Sequence, residues 1–288
     1  MPFNLQAFKT RALTAVVFVV VMLVGLLWNK WSFLVLFSVI HFGCWVEYQK
    51  LIKQIDPDYK EVSTVHRYSV MFIGWGFMLW MTDDSYRIGN WLVTDIGWVM
   101  LSISLIVFII NEYFINKKIL YQLTAHSLFG FVYISLSFAL LMKLWGNMDD
   151  KVFTGSPDWA MPVILIASIW INDTMAYIVG SFIGKTPFSP ISPKKTWEGT
   201  IGGAILAVVA ITLVGAYAFD LDTKALLMIS ITAAVAGTLG DLLESKLKRL
   251  AGVKDSGQIM PGHGGFLDRF DSLLVAVTVT WIVFRLFF

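Results

Sequence analysis

Asp241, Glu244, Ser245 and Lys248 recur at spacings of three, four and seven residues, and Asp268, Asp271 and Ser272 at spacings of three and four. On helices, each set lies along one face. Carboxylates crowded in this way repel one another unless a cation joins them. A hard divalent ion with oxygen ligands is the natural occupant, and Mg2+ commonly combines one or two protein carboxylates with substrate phosphates. Lys248, Arg249, Lys254 and Arg269 interleave with the acids. Acids for a metal and cations for oxyanions are the components of phosphoryl chemistry. Between them, Pro261-Gly-His263-Gly264-Gly265 offers a loop where backbone can approach a ligand closely. It is neither a Walker loop nor a dinucleotide fingerprint, and His263 alone is as readily structural as functional.

Two upstream stretches add to this set. Asn172-Asp173 stands inside the apolar run Trp170 to Tyr177, and an ionisable residue within such a helix marks a functional site by default. A position near the membrane interface, or a bond between helices, would also account for it. The second stretch is Gly184-Lys185-Thr-Pro-Phe-Ser-Pro-Ile-Ser192-Pro193-Lys194-Lys195-Thr196-Trp197-Glu198-Gly199. Ser192 followed by Pro193 suits an N-cap and first helical position. A helix N-terminus with Lys194 and Lys195 beside it would attract phosphate. As a plain basic loop, it would instead meet lipid headgroups.

The elements that must position these residues are membrane helices. Of the 288 residues, 57% are hydrophobic and 15% charged, and the mean hydropathy is +0.71. Soluble domains average about 25% charged residues. Disorder, a disulfide scaffold and an ordinary soluble globule are excluded, and no nucleic-acid partner is expected. Cys44, alone in an apolar stretch, reads as a small core residue. About 20 apolar residues cross a bilayer, and nine stretches qualify: roughly 12–28, 31–47, 68–81, 91–110, 125–145, 159–180, 199–219, 225–243 and 271–288. The third is short. The first follows Lys9 and Arg11 as a signal peptide would, yet lacks a small-residue cleavage site, so a retained helix is expected.

Basic residues favour cytoplasmic loops. An inside N-terminus puts Lys50, Lys53, Lys60, Arg67, Lys117, Lys118, Lys185, Lys194, Lys195, Lys246, Lys248, Arg249, Lys254 and Arg269 on the inner side with Lys9 and Arg11. Only Lys30, Arg87, Lys143, Lys151, Lys224 and Arg285 remain outside. The expected fold is an all-α polytopic membrane protein of about nine helices, N-terminus inside and C-terminus outside. Residues 1–158, about five helices, read as scaffold. Residues 159–288, about four helices with inner-side loops, read as the catalytic region.

The same residues carry a resemblance. Ser245-x-Leu-Lys248-Arg249-x4-Lys254-Asp255-x-Gly257, then Pro261-x-His263-Gly264-Gly265-x-x-Asp268-Arg269-x-Asp271, resembles the signature of phosphatidate cytidylyltransferases. Asp173-Thr-x-Ala-Tyr177 and Ser192-Pro-Lys-Lys-Thr-Trp-Glu-Gly199 are similar to that family too. The likeness is strong from about residue 160 onward; before that it rests on length, hydropathy and the basic N-terminus. Met260 departs from the more usual branched aliphatic or Phe, but is apolar as well.

The resemblance implies a dimeric enzyme of the bacterial inner membrane, with its site facing the cytoplasm, that joins CTP and phosphatidic acid into CDP-diacylglycerol and releases pyrophosphate. It implies Mg2+ on Asp241 and Asp268, with a monovalent ion such as K+ beside it. Asp271, Glu244 and Asp173 would be further acids of the polar cavity. Ser192, Lys194, Lys195, Lys248, Arg249, Lys254 and Arg269 would meet phosphates, with Thr196, Glu198, Ser245, His263, Gly264 and Gly265 lining the substrates. The alternatives are a CTP-dependent lipid kinase, a relative acting on an ether-lipid phosphate, and a secondary transporter. Against the transporter stand the lack of paired repeats and the bunching of charge at one membrane face. A lipid-binding scaffold would leave the acid and cation constellation unexplained.

Overall fold

The computed structural model describes residues 5–115, 121–146, 156–259 and 264–288. The chain is helical almost throughout: α1 (Leu5–Leu27), α2 (Lys30–Ile55), α3 (Thr64–Trp80), α4 (Val93–Ile110), α5 (Tyr121–Gly130), α6 (Ser137–Leu144), α7 (Ala160–Ile183), α8 (Trp197–Phe219), α9 (Thr223–Leu250) and α10 (Leu267–Phe287). A π-helical segment, Phe131–Leu136, joins α5 to α6, and another, Asn111–Ile115, extends α4. Two short antiparallel hairpins complete the set: β1 (Arg87–Ile88) with β2 (Trp91–Leu92), and β3 (Pro187–Ser189) with β4 (Ser192–Thr196).

Among the described residues, seven helical stretches are long and apolar enough to cross a membrane: Lys30–Ile55, Val93–Phe114, Leu123–Leu144, Ala160–Ile183, Trp197–Phe219, Thr223–Leu250 and Leu267–Phe287. Each overlaps an expected span. The remaining two expected spans fall on shorter helices, the apolar part of α1 (Ala12–Leu27) and the 17-residue α3. This is an all-α polytopic membrane protein.

The chain divides into two compact units. The first comprises residues 1–135 with 250–270. Within it, α3 and α4 form an antiparallel pair whose backbones touch: a Cβ at Gly76 would lie 2.6 Å from the Leu101 nitrogen, and one at Gly97 would collide with Leu79 and Trp80. Small residues permit such contact where lipid offers no hydrophobic drive. A buried polar chain pins the other end of this pair. His66 of α3 bonds Glu112 through Nδ1 (3.0 Å) and Ser127 of α5 through Nε2 (2.7 Å), while Asn111 Nδ2 donates to the same Glu112 oxygen at 2.7 Å. The π-helical turn at Asn111–Ile115 brings the adjacent Asn111 and Glu112 into this one network. A second cluster joins His41 and Trp45 of α2 to the hydroxyl of Ser135, at 3.0 and 2.9 Å. Cys44 is buried.

The second unit comprises residues 136–249 with 271–288. Here α7 and α8 pack through Ala176, Gly180, Gly199 and Gly203, small residues four apart on each helix; a Cβ at Gly203 would lie 2.6 Å from the Ala176 nitrogen. Helix α9 meets α10 through a hydroxyl pair, Thr232 with Thr280 at 3.0 Å, and through Gly240, whose absent side chain leaves room for the Asp271 carbonyl.

One expectation is corrected. Ser192-Pro193 does not start a helix; it opens β4, and α8 begins at Trp197 with Thr196 as N-cap, its Oγ1 accepting from Gly199 N at 3.2 Å. The reason is local. Pairing of Ser192 with Ser189 and of Thr196 with Pro187 keeps this segment extended through Thr196, whose hydroxyl then supplies the cap at the end of the strand. Glu198, in the first turn of α8, then draws the hairpin base onto the helix: its carboxylate accepts from Lys185 N (3.1 Å), Thr186 N and Thr186 Oγ1 (2.7 Å).

Candidate active site

Helix α9 runs 28 residues, well past Asp241, so the expected face forms. Asp241, Glu244 and Asp271 each present a carboxylate oxygen within 4.8 Å of the other two. Glu244 is fully buried and Asp271 nearly so. Apposition comes from glycine: with Gly240 lying on the Asp271 backbone, α9 and α10 are close where their acids stand. Two ammonium groups balance the charge. Lys195 of β4 pairs with Asp241, and Lys248, one turn along α9, pairs with Glu244. Ser245 Oγ donates to Asp241 at 3.3 Å, and Ser272 N donates to the carboxylate of Asp271 at 2.6 Å. The negative charges of Asp241 and Asp173 act on Asp271, and the positive charge of Lys248 offsets them.

Three hard oxygen donors this close fit a divalent cation, and they leave positions open for ligands from a substrate. The two lysines suit the oxyanions that such a cation would share. All of these residues belong to the second unit. Asp173 is exposed on α7, with Asn172 Nδ2 3.4 Å from its carboxylate. Lys194 and Arg249 are exposed. Ser192 stands in β4, opposite Ser189. Thr196 and Glu198 are engaged in the cap and hairpin bonds described above.

A different assembly lies in the first unit. Asp268, in the first turn of α10, uses one oxygen to accept from Ser256 N (2.9 Å), Ser256 Oγ (2.8 Å) and Gly265 N (2.8 Å). Glu47 of α2, 8% exposed, completes this assembly. Its carboxylate accepts from Ser256 Oγ (2.7 Å), Phe266 N (3.0 Å) and Leu267 N (2.8 Å). These are orphan donors at a helix start, where an anion is favoured. Both glycines of the loop have a reason here. Gly264 holds φ +83, which side chains rarely adopt, and a Cβ on Gly265 would run into Glu47. Lys254 and Arg269 are exposed in this unit, and His263 lies outside the described residues.

Glu47 and Ser256 were not singled out by the sequence. The signal for Glu47 was present, since it is an acid inside an apolar helix, as Asp173 is. Ser256 had none, because an isolated serine in a polar loop has no spacing to betray it.

Comparison with known proteins places the chain among cytidylyltransferases. Among relatives, the chain is 41% identical over 160 residues to the phosphatidate cytidylyltransferase of Staphylococcus haemolyticus, covering 54% of this chain and 62% of the relative. It is 41% identical over 134 residues to that of Thermotoga maritima, covering 44% and 50%. With the Bacillus subtilis protein of the same name it shares 47% over 121 residues, 41% and 45% of the two chains. These alignments thus span about half the length of each relative. The model of the cytidylyltransferase family matches residues 9–287, and the chain belongs to that family.

Proposed function

We propose that this protein is a phosphatidate cytidylyltransferase, transferring CMP from CTP to phosphatidic acid to give CDP-diacylglycerol and pyrophosphate in phospholipid synthesis. One observation carries the reading: the cluster of Asp241, Glu244 and Asp271 with Lys195 and Lys248, of which Lys195, Lys248 and Asp271 fall within the segments that bear the family resemblance. It is supported by the names of the relatives.

The attacking group would be a phosphate oxygen of phosphatidic acid. It forms a bond to the α-phosphorus of CTP as the bond to the bridging oxygen breaks and pyrophosphate departs. No protein nucleophile is required, because a phosphate monoester near neutral pH already carries the charge. The chain must hold two polyanions together and neutralise charge as it spreads. Asp241, Glu244 and Asp271 would hold a divalent cation, Mg2+ in this reading with K+ as a companion ion, and the family resemblance adds Asp268 to the metal-binding acids. That cation, when bound, would supply Lewis-acid neutralisation of CTP phosphate oxygens. Lys195 and Lys248 would move from their carboxylates to substrate phosphates. By the family resemblance, Lys194, Arg249, Lys254 and Arg269 would meet substrate phosphates, and Ser192, Ser245 and His263 are further substrate-binding residues. The N-terminus would lie inside and the site would face the cytoplasm, with residues 1–158 as scaffold. A homodimer in a bacterial inner membrane completes the proposal.

The test is pyrophosphate release by the detergent-purified chain given CTP, phosphatidic acid and Mg2+, each omitted in turn. Release that needs all three is expected. CDP in place of pyrophosphate would make it a lipid kinase, and silence from folded protein with every lipid phosphate would return the transporter.

A further inference from the structure

A second concentration of cations lies in the first unit, on residues to which the proposed transferase site assigns no role. Lys50 and Lys53, on the last turns of α2, and Arg67, on the first turns of α3, line a cleft of about 260 Å3 with Gln49, Thr64 and Tyr68. No carboxylate lines it. Among the described residues, none of these three cations takes part in an ion pair. The cleft is held in shape: Gln49 Nε2 donates to the Arg67 carbonyl at 3.0 Å, fixing α2 to α3, and Arg67 Nη2 donates to Thr64 Oγ1 at 3.2 Å. Arg67 Nε is buried with no acceptor in the protein. Three positive charges line it, with no carboxylate among the lining residues.

The cleft opens into apolar surface. Thr64 and Tyr68 also border a groove of about 340 Å3 between α3 and α4, continued by Phe72, Ile103, Ser104 and Val107. Phe72, Ile103 and Ser104 in turn border a third depression that reaches Val99 and Trp91. From Thr64 to Phe72 the groove follows eight residues of helix, roughly 12 Å at about 1.5 Å per residue. A single leaflet contributes about half of the roughly 30 Å hydrocarbon core, so the groove matches one acyl chain in depth. Cations sit at its polar end, mainly apolar side chains with Ser69 and Ser104 line its length, and Asp95 borders the depression at its far end.

We infer that α2, α3 and α4 form a binding site for one anionic phospholipid, its phosphate between Lys50, Lys53 and Arg67 and an acyl chain along the α3–α4 groove. A zwitterionic lipid would bring an ammonium group to a cleft that already holds three positive charges, so the site selects for net negative headgroups. A basic pocket at a helix end recognises headgroups through the same electrostatics that draw polybasic segments to anionic leaflets. The arginine adds planar, two-pronged contact with phosphate. This site stands independently of the transferase reading, because its occupant need not react.

The experiment is native mass spectrometry of the full chain in detergent, with dioleoyl phosphatidylglycerol and dioleoyl phosphatidylcholine as probes of identical tails. Wild type should retain one phosphatidylglycerol in preference to phosphatidylcholine. Lys53→Gln and Arg67→Gln should each lower that retention about fivefold, and Lys53→Arg should restore it. Equal retention of the two lipids, or no loss in Lys53→Gln with Arg67→Gln combined, would overturn the site. Should that double variant fail to fold, Ser104→Phe tests the groove alone. It should weaken dioleoyl phosphatidylglycerol and spare the dihexanoyl form, and equal binding of both to this variant and to wild type would overturn the acyl-chain assignment. Displacement of the lipid by an equal concentration of inorganic phosphate would show an anion site without lipid selectivity, and would overturn the proposal as well.

Discussion

Gly240 of α9 lies directly against the backbone carbonyl of Asp271 of α10, with no space for even one carbon between them. This contact sets the separation of the two helices at the depth where Asp241 and Asp271 come within 4.8 Å. Gly240→Val must push the helices apart, and displacements near 1 Å in a reacting site cost on the order of 10²-fold. We expect CTP-dependent pyrophosphate release to fall by about that factor while the protein still purifies as a monodisperse species. Activity within twofold of wild type would show that the acids need not be held this closely.

Lys194 and Lys195 are adjacent in sequence but differ in setting, because successive residues of a strand point to opposite faces. Lys195 reaches Asp241, whereas Lys194 is exposed. Lys195→Met should therefore reduce kcat/KM by about 10²-fold or more, and Lys194→Met by less than tenfold. Equal losses in the two variants would mean that the hairpin acts as a basic patch without facial preference.

The spans were legible because hydrocarbon demands long apolar runs, and that demand is written directly in composition. The face of α9 was legible as well, since helical spacing places Asp241, Glu244 and Lys248 together wherever the helix does not stop. What spacing cannot report is pairing between distant segments. Glu47 and Leu267 stand 220 residues apart, and only the folded first unit shows that a carboxylate of α2 satisfies the first N–H groups of α10. Ser192-Pro193 misled for a related reason. Its local grammar fits a helix start, but Thr196 provides a competing cap four residues later, and the hairpin formed with Pro187–Ser189 decides between them.

Removing one acid from the cluster should alter its affinity for a divalent ion before it alters anything else. Glu244→Gln preserves shape and removes the charge that pairs with Lys248. The Mg2+ concentration needed for half-maximal activity should rise about tenfold, with near wild-type rates at saturation. An unchanged Mg2+ dependence would take Glu244 out of the metal set and leave it as the partner of Lys248.

Glu47 serves as the anion for the backbone N–H groups of Phe266 and Leu267 and shares the Ser256 hydroxyl with Asp268. Glu47→Ala leaves the N–H groups of Phe266 and Leu267 and the Ser256 hydroxyl without this acceptor. Each buried unsatisfied donor costs roughly 1–3 kcal/mol, so a loss of about 3 kcal/mol is expected, read as a lowered thermal midpoint in detergent. Gly265→Ala should resemble it, since the added methyl displaces the same carboxylate. An unshifted midpoint in both variants would mean that water replaces Glu47 at no cost.

Asp268 is asked to do two things, and two substitutions separate them. Its Oδ2 ties Ser256 to Gly265 through three hydrogen bonds, which is structural, while the family resemblance assigns it to the metal, which is chemical. Ser256→Ala removes one of the three bonds and leaves the carboxylate charged. It should lower the thermal midpoint by a few degrees and keep activity within tenfold of wild type. Asp268→Asn retains an oxygen able to accept from Ser256 N and Gly265 N, so its midpoint should fall no further than that of Ser256→Ala. If the charge serves the reaction, turnover in Asp268→Asn should nonetheless be lost by 10³-fold or more, the scale on which removing one electrostatic contact to a transition state acts. Wild-type turnover in Asp268→Asn would leave this residue a purely structural clamp and confine the chemistry to Asp241, Glu244 and Asp271.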